Sequence, residues 1–489
     1  MLVGMEDHRV NIPDAVPKAS SEPLPEIARF LKPFAPLFRR SQSRQSLERY
    51  VTGLLTDLHR KNCDTIAAAV AGTSTERLQH LLTDADWDSL KLDGARVRSL
   101  SQKSPEGGIL VLDDTSFPKQ GKSSVGVARQ YCGALGKRAD CQVVVSAHHL
   151  ADELESSRPL HWPVCAQLYL PQSWAKDRRR REQAHVPEEV HFRSKPQIAL
   201  SLVDLSGEWG VPFEVVVADS GYGKYTLFLE GLEDRKLPYV CGVESTFGVR
   251  LPEEVVAAKQ AGAPQPQYRG RGQPPKERPA PLYTAEEVIG SLPDEAWQTV
   301  SWREGTKEAL GKRMVALRAH RATGSDRHST THERVLTAQE GWLIAERPLR
   351  PAEGEDLPDE EEQKYYYSSL EAGVSLERLA ALAKSGWAIE QFYEDAKGEC
   401  GLGDYQGRRW DGLHRHLGLV MVAYSFLMIH SSVLAKDPPH EEEEEAFSPR
   451  FSGQAHDAAS DSPAGIDVVA GGSGALVHRN RKDKNLPSS

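Results

Sequence analysis

Acidic residues stand at three places in the chain where they could hold a divalent metal ion. Asp113 and Asp114 end the short apolar run GGILVLDDTS, and Asp219 ends a second such run, PFEVVVADSGYG. Glu390 lies far downstream, in a stretch with helical periodicity. Adjacent strands of one sheet can bring carboxylates side by side, and a helix packed on that sheet can add another. Three carboxylates suit Mg²⁺, and two such ions about 3.5–4 Å apart could drive an in-line phosphoryl displacement.

The same acids also have a simpler interpretation. Aspartates at strand ends often form turns or cap the next element, so the pattern by itself leaves a structural role open. The choice between Asp113 and Asp114 is open too, because neighbouring residues of a regular strand point to opposite faces of the sheet. A phosphohydrolase of another fold is suggested by the sequence LDDT, but that hypothesis leaves Asp219 and Glu390 unexplained.

Strands and helices alternate around these acids. The runs CQVVVSAHHL, CAQLYL and PYVCGVE predict further strands, and QIALSLVDLSGEWG predicts a helix that ends at glycine. This alternation, from residue 107 to about 245, predicts an α/β domain. Residues 281–350 have mainly strand patterns, KYYYSSL predicts one more strand, and residues 375–399 predict one long helix or two.

The composition is typical of a soluble globular protein. Hydrophobic residues make up 39% of the chain and charged residues 27%. The net charge of −10 weighs against binding to phosphates, but residues 436–489 alone carry ten acids against six Lys and Arg. The basic residues cluster elsewhere, so local basic faces remain compatible with DNA binding.

Cysteine usage and hydropathy indicate a cytoplasmic protein. The six cysteines form no CxxC pair, which argues against a zinc knuckle and a disulfide framework. Residues 416–435 are apolar enough to span a bilayer, but they follow an amphipathic helix and contain polar residues. We therefore expect a buried core helix there and no membrane association.

Longer motifs around the acids resemble those of a known family. DDTSFPKQGKSSVGVARQYCGALGK (113–137), LYLPQSWAKD (168–177) and VVADSGYG (216–223) are similar to successive blocks of DDE transposases of the insertion-sequence 701 family. The last block of that family resembles WAIEQFYEDAKGECGLGDYQGRRWDGLHRHLGLVMVAYSFL (387–427). The resemblance covers residues 25–435. It implies an α/β (α+β) fold: an RNase H-like catalytic core with an N-terminal helical domain and a β-rich insertion between the second Asp and the Glu.

The resemblance and the patterns together divide the chain into six segments. In chain order, they are a flexible N-terminus (1–25), a helical DNA-binding domain (26–105), the first part of the RNase H-like core (106–230), the β-rich insertion domain (231–350), the last part of the core with the glutamate helix (351–435) and a disordered acidic tail (436–489).

The resemblance also assigns the catalytic residues. It implies that Asp114, Asp219 and Glu390 are both the catalytic triad and the ligands of Mg²⁺, with Mn²⁺ as a substitute. Asp114 is preferred over the alternative first acid, Asp113, because related transposases place the catalytic acid directly before a threonine, and Thr115 follows here. The implied activity is cut-and-paste transposition: binding of terminal inverted repeats, metal-dependent strand cleavage and strand transfer.

Basic residues near these acids are the expected DNA contacts. Lys397 lies two helical turns after Glu390 and matches the family's signature lysine, whose task would be to hold a DNA phosphate. The further candidates are Lys119, Lys122, Arg129, Tyr131, Arg408 and Arg409. The implied partners are double-stranded DNA, as element ends and as target, and a second copy of the chain. Such a homodimer on DNA would be cytoplasmic and associated with the nucleoid.

The chain departs from the family signature at several positions. The signature arginine would fall at Gly386, the signature tyrosine at Ala383, and Gly403 stands where an acid is more frequent. A glycine within one turn of Glu390 would weaken the helix by about 1 kcal/mol, and the phosphate clamp of the arginine is lost. The alternative function is therefore a catalytically weakened or inactive DNA-binding protein derived from a transposase.

Overall fold

The computed structural model describes residues 24–153, 159–260, 280–304, 309–322, 340–349 and 363–436. Nearly all of the predicted flexible N-terminus and the predicted acidic tail lie outside the described residues, as does the acidic stretch 350–362. The structure therefore bears on the helical segment, on both parts of the core and on most of the insertion.

The N-terminal described segment is helical, as its apolar spacing predicts. Polar side chains define where several of these helices begin: Asn62 caps one helix with a reciprocal capping box, Ser74 caps the next, and Asp88 caps a third. The helices are α1 (Pro25–Leu31), α2 (Ser41–Leu55), α3 (Cys63–Ala69), α4 (Thr75–Thr83) and α5 (Ser89–Ser101), with a 3-10 helix at Lys32–Leu37.

The strands of the described residues form one twelve-stranded mixed sheet. In chain order they are β1 (Ile109–Pro118), β2 (Ala128–Cys132), β3 (Lys137–Leu150), β4 (His161–Leu168), β5 (Val215–Ala218), β6 (Tyr239–Val243), β7 (Gly248–Arg250), β8 (Tyr283–Thr284), β9 (Gln298–Glu304), β10 (Ala309–Arg321), β11 (Glu340–Arg347) and β12 (Lys364–Ser368).

The core half of the sheet explains how the two aspartate strands meet. β3 pairs antiparallel with β1, while β1, β5 and β6 run parallel in that order. Parallel strands need crossover connections, and helices provide them here. This mixed α/β arrangement, with β4 beside β3, agrees with the RNase H-like fold that the sequence motifs imply.

Helices cover both faces of the core strands. They are α6 (Gln172–Ala175), α7 (Arg178–Gln183), α8 (Lys195–Glu208), α9 (Ser220–Gly223), α10 (Thr226–Asp234), α11 (Pro252–Gln260), α12 (Ala285–Gly290), α13 (Leu376–Ala383), α14 (Trp387–Glu399) and α15 (Trp410–Lys436). Apolar residues of α8 and α10 fill one layer, and apolar residues of α2, α14 and α15 fill the other. Helix layers on both faces bury the strands, which is why their sequences are continuous apolar runs.

Strands from the predicted insertion continue the sheet of the core. β12 lies between β6 and β11, and β11 in turn pairs with β10. β6 lies after the boundary expected at residue 230, yet it pairs directly with β5. The core and the inserted strands therefore share one hydrogen-bonded sheet.

The long apolar helix lies in the protein core. α15 packs against α2, α4, α5 and β4, and 72% of its apolar stretch Trp410–His430 is buried. This confirms the core helix that the sequence predicts, although it begins at Trp410 rather than near residue 416. By length and composition the same helix could cross a membrane, and it is the one such helix among the described residues.

Candidate active site

The two neighbouring aspartates of β1 face opposite layers of the protein. The strand is regular through both acids and pairs with β3 over its whole length. Ile109 and Val111 belong to the layer that holds α14, whereas Leu110 and Leu112 belong to the layer that holds α8. By this alternation Asp113 faces α14, and Asp114 faces α8.

Asp219 follows the last residue of the strand next to β1. Leu112 and Ala218 are register partners in the parallel β1–β5 pair, so Asp113, within β1, and Asp219, directly after β5, are neighbours across the two strands. Two glycines allow this geometry. A Cβ on Gly223 would come 2.0 Å from the carbonyl oxygen of Gly242 on β6, so only glycine lets α9 pack this closely.

Glu390 lies in the first turn of α14 and is exposed. The helix is seated by Ile389 and Phe392, which share an apolar layer with Val111 and the β5 residues. A negative charge in the first turn is favoured by the helix dipole. The helix that carries this carboxylate thus packs on β1, the strand of Asp113 and Asp114.

Electrostatic coupling links the acids to one another. Burial raises the pKa of Asp113 well above its usual value, and the charges of Asp219, Asp114 and Glu390 raise it further. Burial and the charge of Asp114 raise the pKa of Asp219, while hydrogen bonds from the backbone N–H groups of Gly221 and Tyr222 lower it. Asp113 is therefore the acid whose pKa responds to all the other candidate ligands.

The pKa of Glu390 is also raised. The main cause is that neighbouring protein atoms remove part of the hydration of this carboxylate; the charge of Asp219 raises the pKa further, while Lys364 and Lys384 lower it. Lys384 ends α13, just before α14 in the chain, and Lys364 is the first residue of β12. The local surroundings of Glu390 therefore combine a neighbouring acid with two cations.

Asp114 has a cation of its own. Lys195 Nζ lies 2.8 Å from Asp114 Oδ2 and 3.0 Å from Oδ1, and the Tyr222 hydroxyl donates to Oδ1 at 3.4 Å. Lys195 is the first residue of α8, which Ser194 caps with a reciprocal capping box. Sequence reasoning missed this lysine, because Lys195 lies 81 residues from Asp114 and no local motif connects them.

Lys397 and Tyr393 complete the α14 face of the site. Lys397 Nζ lies 5.7 Å from the centre of the Tyr393 ring. Burial lowers the pKa of Lys397, and the charge of Asp113 raises it. The Tyr393 hydroxyl and Ser146 Oγ are 2.5 Å apart, and Ser146 is the β3 partner of Asp113. The predicted signature lysine therefore faces Asp113, and Tyr393 connects α14 to β3 behind that aspartate.

The other predicted DNA contacts fall into two groups. Lys119 and Arg409 have partners within the protein: Lys119 Nζ donates to the Tyr405 carbonyl at 2.8 Å, and Arg409 pairs with Asp411 and Asp84. The exposed candidates are Lys122, Arg129, Tyr131 and Arg408. The four exposed residues are thus accessible to DNA, whereas Lys119 and Arg409 already bond to other parts of the protein.

Gly386 occupies a different position from the one expected. It is the N-cap of α14, between α13 and α14, with φ −55° and ψ −22°. The expected weakening of the helix is therefore wrong, because a glycine at the N-cap costs only a few tenths of a kcal/mol. A Cβ added at Gly386 would meet no atom within 4 Å, so a larger side chain has room there.

The donor chemistry of the site fits a divalent cation. Carboxylate oxygens are the ligands that Mg²⁺ prefers, and the repulsion that raises the pKa of Asp113 would be relieved by a cation. Among the residues that the structure describes, no three His, Cys, Asp or Glu side chains already converge as a complete metal cage. Ions that keep several waters and bind through one or two carboxylates need no such cage.

Comparisons with known proteins agree with this geometry. A family model described as DDE superfamily endonuclease matches residues 33–309, more than half of the chain. A second, described as Transposase DDE domain, matches residues 194–426. A probable transposase for insertion sequence element IS701 from Microchaete diplosiphon is 29% identical over 217 residues, which cover 44% of this chain and 53% of the relative. The chain thus matches about half the length of that relative.

Proposed function

Because the chain belongs to the DDE superfamily of endonucleases, we propose that it is an insertion-sequence transposase that cuts and joins DNA with the help of a divalent metal ion. The observation that supports this most directly is the parallel pairing of β1 with β5, which places Asp113 beside Asp219, together with the packing of α14, the helix of Glu390, on β1. The similarity to a probable IS701 transposase supports the element type. The proposed DNA partners are the terminal inverted repeats of an element and its target.

The proposed metal ligands are Asp219, Glu390 and one acid of β1. We favour Asp113 for that role because it faces α14 and its pKa responds to both other acids. Asp114, the acid favoured by the family motif, faces α8 and is paired with Lys195. The two assignments make opposite predictions for single substitutions, so one experiment separates them.

A divalent cation, Mg²⁺ or Mn²⁺, would supply charge stabilisation at the phosphate and an activated nucleophile when bound to these carboxylates. The protein's own contribution is positional. Lys397 lies on the same face as Asp113, where its ammonium group can hold a phosphate oxygen of the strand being cut. Tyr393, bonded to Ser146 on β3, fixes the helix that carries Lys397 and Glu390.

Cleavage of a labelled duplex that carries the element's ends tests the proposal. We expect Mg²⁺- or Mn²⁺-dependent cuts at those ends for the wild-type chain. Asp219→Asn, Glu390→Gln and Asp113→Asn should each lower the cleavage rate by about a thousandfold or more, the scale of losing a group that stabilises transition-state charge. Asp114→Asn should lower it much less, and the reverse order for the two β1 acids would assign the metal to Asp114. Glu208→Gln, an exposed substitution at the far end of α8, is the matched control. Full activity of Asp219→Asn would refute the metal site.

A second candidate function is a DNA-binding protein that no longer cuts. The observation that favours it is Gly386, which leaves open space where the family signature has an arginine. End-specific DNA binding without any metal-dependent cut would support this candidate. Cleavage by the wild-type chain would exclude it.

A further inference from the structure

A lysine near the start of α14 is bound by a buried carboxylate from β11. Lys384 Nζ donates to both carboxylate oxygens of Glu346, at 2.9 Å and 3.1 Å. Glu346 is buried, and the Tyr366 hydroxyl on β12 donates to its Oε2 at 3.0 Å. Lys384 Nζ also lies 5.5 Å from the centre of the Trp302 ring on β9. The cation is therefore surrounded by side chains of three strands.

This network lies beside the helix that carries the glutamate of the site. Lys384 precedes Gly386, the N-cap of α14, by two residues, and the backbone N–H of Glu390 donates to the Gly386 carbonyl at 3.3 Å. Loss of hydration raises the pKa of Glu390, and the charge of Lys384 lowers it. Burial raises the pKa of Tyr366, and the charge of Glu390 contributes to that rise. Glu390 is therefore within electrostatic reach of the network.

A cation at this position has two opposite effects on a metal site. It favours the ionised form of Glu390, but it repels a divalent ion that binds to the same carboxylate. In the described part of the chain, the ion pair of Lys384 is formed with Glu346. A buried carboxylate without a partner is costly, whereas Glu390 is exposed and keeps water contacts, so the ammonium group favours Glu346. This pairing leaves the oxygens of Glu390 open to a metal ion.

We propose that Glu346 neutralises Lys384 beside the metal site, so that β11 sets how tightly the divalent ion binds through Glu390. The inference rests on the metal-dependent function proposed above and adds a positioning residue to it. Glu346 acts through Lys384 and has no contact with the ion. Lys384 in turn connects the end of α13 to β11, which fixes where α14 begins.

Mn²⁺ binding to the full chain at low salt, followed by the electron paramagnetic resonance signal of the free ion, tests this proposal without cleavage. Asp219→Asn identifies the binding that belongs to the site. Glu346→Gln should weaken that binding by about fivefold, the factor expected for one partly exposed charge interaction. The double variant Glu346→Gln/Lys384→Met should restore wild-type binding, and Glu346→Asp, which keeps the charge, should remain close to it.

Ionic strength separates a charge effect from a packing effect. Salt screens exposed charges, so the difference between Glu346→Gln and the wild-type chain should shrink as salt is raised. A purely structural loss would not depend on salt in this way. Lys364→Met removes another lysine that lowers the pKa of Glu390, and it should tighten Mn²⁺ binding. That variant calibrates how strongly one nearby charge affects the ion.

Glu340→Gln is the matched control. Glu340 lies on the same face of the same strand, at its other end, and accepts from Arg318 Nε at 2.7 Å. Arg318 lies 4.8 Å from the centre of the Trp342 ring, so a carboxylate, a cation and an indole are combined there as well. We expect Glu340→Gln to bind Mn²⁺ like the wild-type chain. Thermal unfolding checks that each variant is folded.

Each outcome has a defined meaning. Equal Mn²⁺ affinity of Glu346→Gln and the wild-type chain, or a double variant as weak as Glu346→Gln, would overturn the role of Glu346 and leave the metal site intact. If Glu346→Gln does not fold, Lys384→Met decides: it should bind Mn²⁺ at least as tightly as the wild-type chain, and weaker binding would overturn the proposal. A folded wild-type chain without any Mn²⁺ binding that Asp219→Asn removes would count against the proposed function, and this inference would fall with it.

Discussion

Asp114 and Lys195 form an ion pair across 81 residues of sequence, with Nζ 2.8 Å from Oδ2. The pair lies on the opposite side of β1 from α14. An acid that already has a cation partner on that side has less need of a metal ion than Asp113, whose neighbours are mainly acids.

The ion pair itself should contribute little to stability. Both side chains are partly exposed, 36% for Lys195 and 24% for Asp114, so we expect a coupling free energy of less than about 1 kcal/mol. A double-mutant cycle with Lys195→Met and Asp114→Asn, followed by urea unfolding, measures it. The control is Lys91→Met, an exposed lysine on α5. A coupling of several kcal/mol would contradict the structural interpretation of this pair.

Gly386→Arg should raise the rate of end cleavage. Open space at the N-cap of α14 accommodates the side chain, and a new charge-assisted bond to a DNA phosphate contributes enough for about a tenfold gain. The controls are Gly386→Ala, which adds no charge, and Gly398→Arg, which adds the same charge near the other end of α14 in equally open space. Equal rates for Gly386→Arg and Gly398→Arg would mean that only net charge matters.

Mild acid should unfold the protein partly through His416. Its Nδ1 accepts from the Tyr50 hydroxyl at 2.8 Å and its Nε2 donates to the Gly401 carbonyl at 3.0 Å, so the neutral ring has both of its nitrogens satisfied. Burial lowers its pKa from 6.5 to about 4. The unfolded chain then binds the proton first, and the free energy of unfolding falls between pH 6.5 and 4.

This effect of His416 amounts to about 3 kcal/mol across that pH range, since each pKa unit corresponds to about 1.4 kcal/mol. Urea unfolding at pH 7 and pH 4.5 should therefore show a smaller loss of stability for His416→Gln than for the wild-type chain. Tyr50→Phe retains the histidine and should keep much of the pH dependence. A His416→Gln protein with the full wild-type dependence would show that the other buried histidines, such as His149, account for it.

Arg96 should be among the most destabilising positions to change. Its guanidinium is fully buried and donates to Asp93 Oδ1 at 2.8 Å and to the Val164 carbonyl at 2.7 Å, and so connects α5 to β4. Arg96→Met should lower the free energy of unfolding by about 3–5 kcal/mol, because Asp93 is left buried without its partner. Arg98→Met, exposed two residues later, should change it by less than about 0.5 kcal/mol.

Much of the fold could be predicted from the sequence because its strands are buried on both faces. Continuous apolar runs and a glycine or capping residue at their ends identified β1, β3, β5 and β6, and the helices around them. The sheet order was accessible only through the family motifs, since hydropathy does not determine which strands pair. The continuation of the sheet into the inserted strands had no local signal at all.

The candidate site was predictable in type but not in detail. Acids at the ends of apolar strands indicated Asp219 and the β1 pair, and the motif around Glu390 indicated the third carboxylate. What could not be predicted depends on tertiary contacts: which aspartate faces α14, and that Lys119 bonds to the Tyr405 carbonyl. A lysine's role as an internal donor or a DNA contact is decided by neighbours that come from distant parts of the chain.

The position of β12 between β6 and β11 bears on how this protein could be shortened. If the strands after β6 were deleted, β6 would become an uncovered sheet edge with a row of free backbone donors and acceptors. Such edges pair with other chains and promote aggregation. A minimal version of the catalytic core therefore needs β12 retained, together with charged residues on its new outer side, before it can be expected to remain monodisperse.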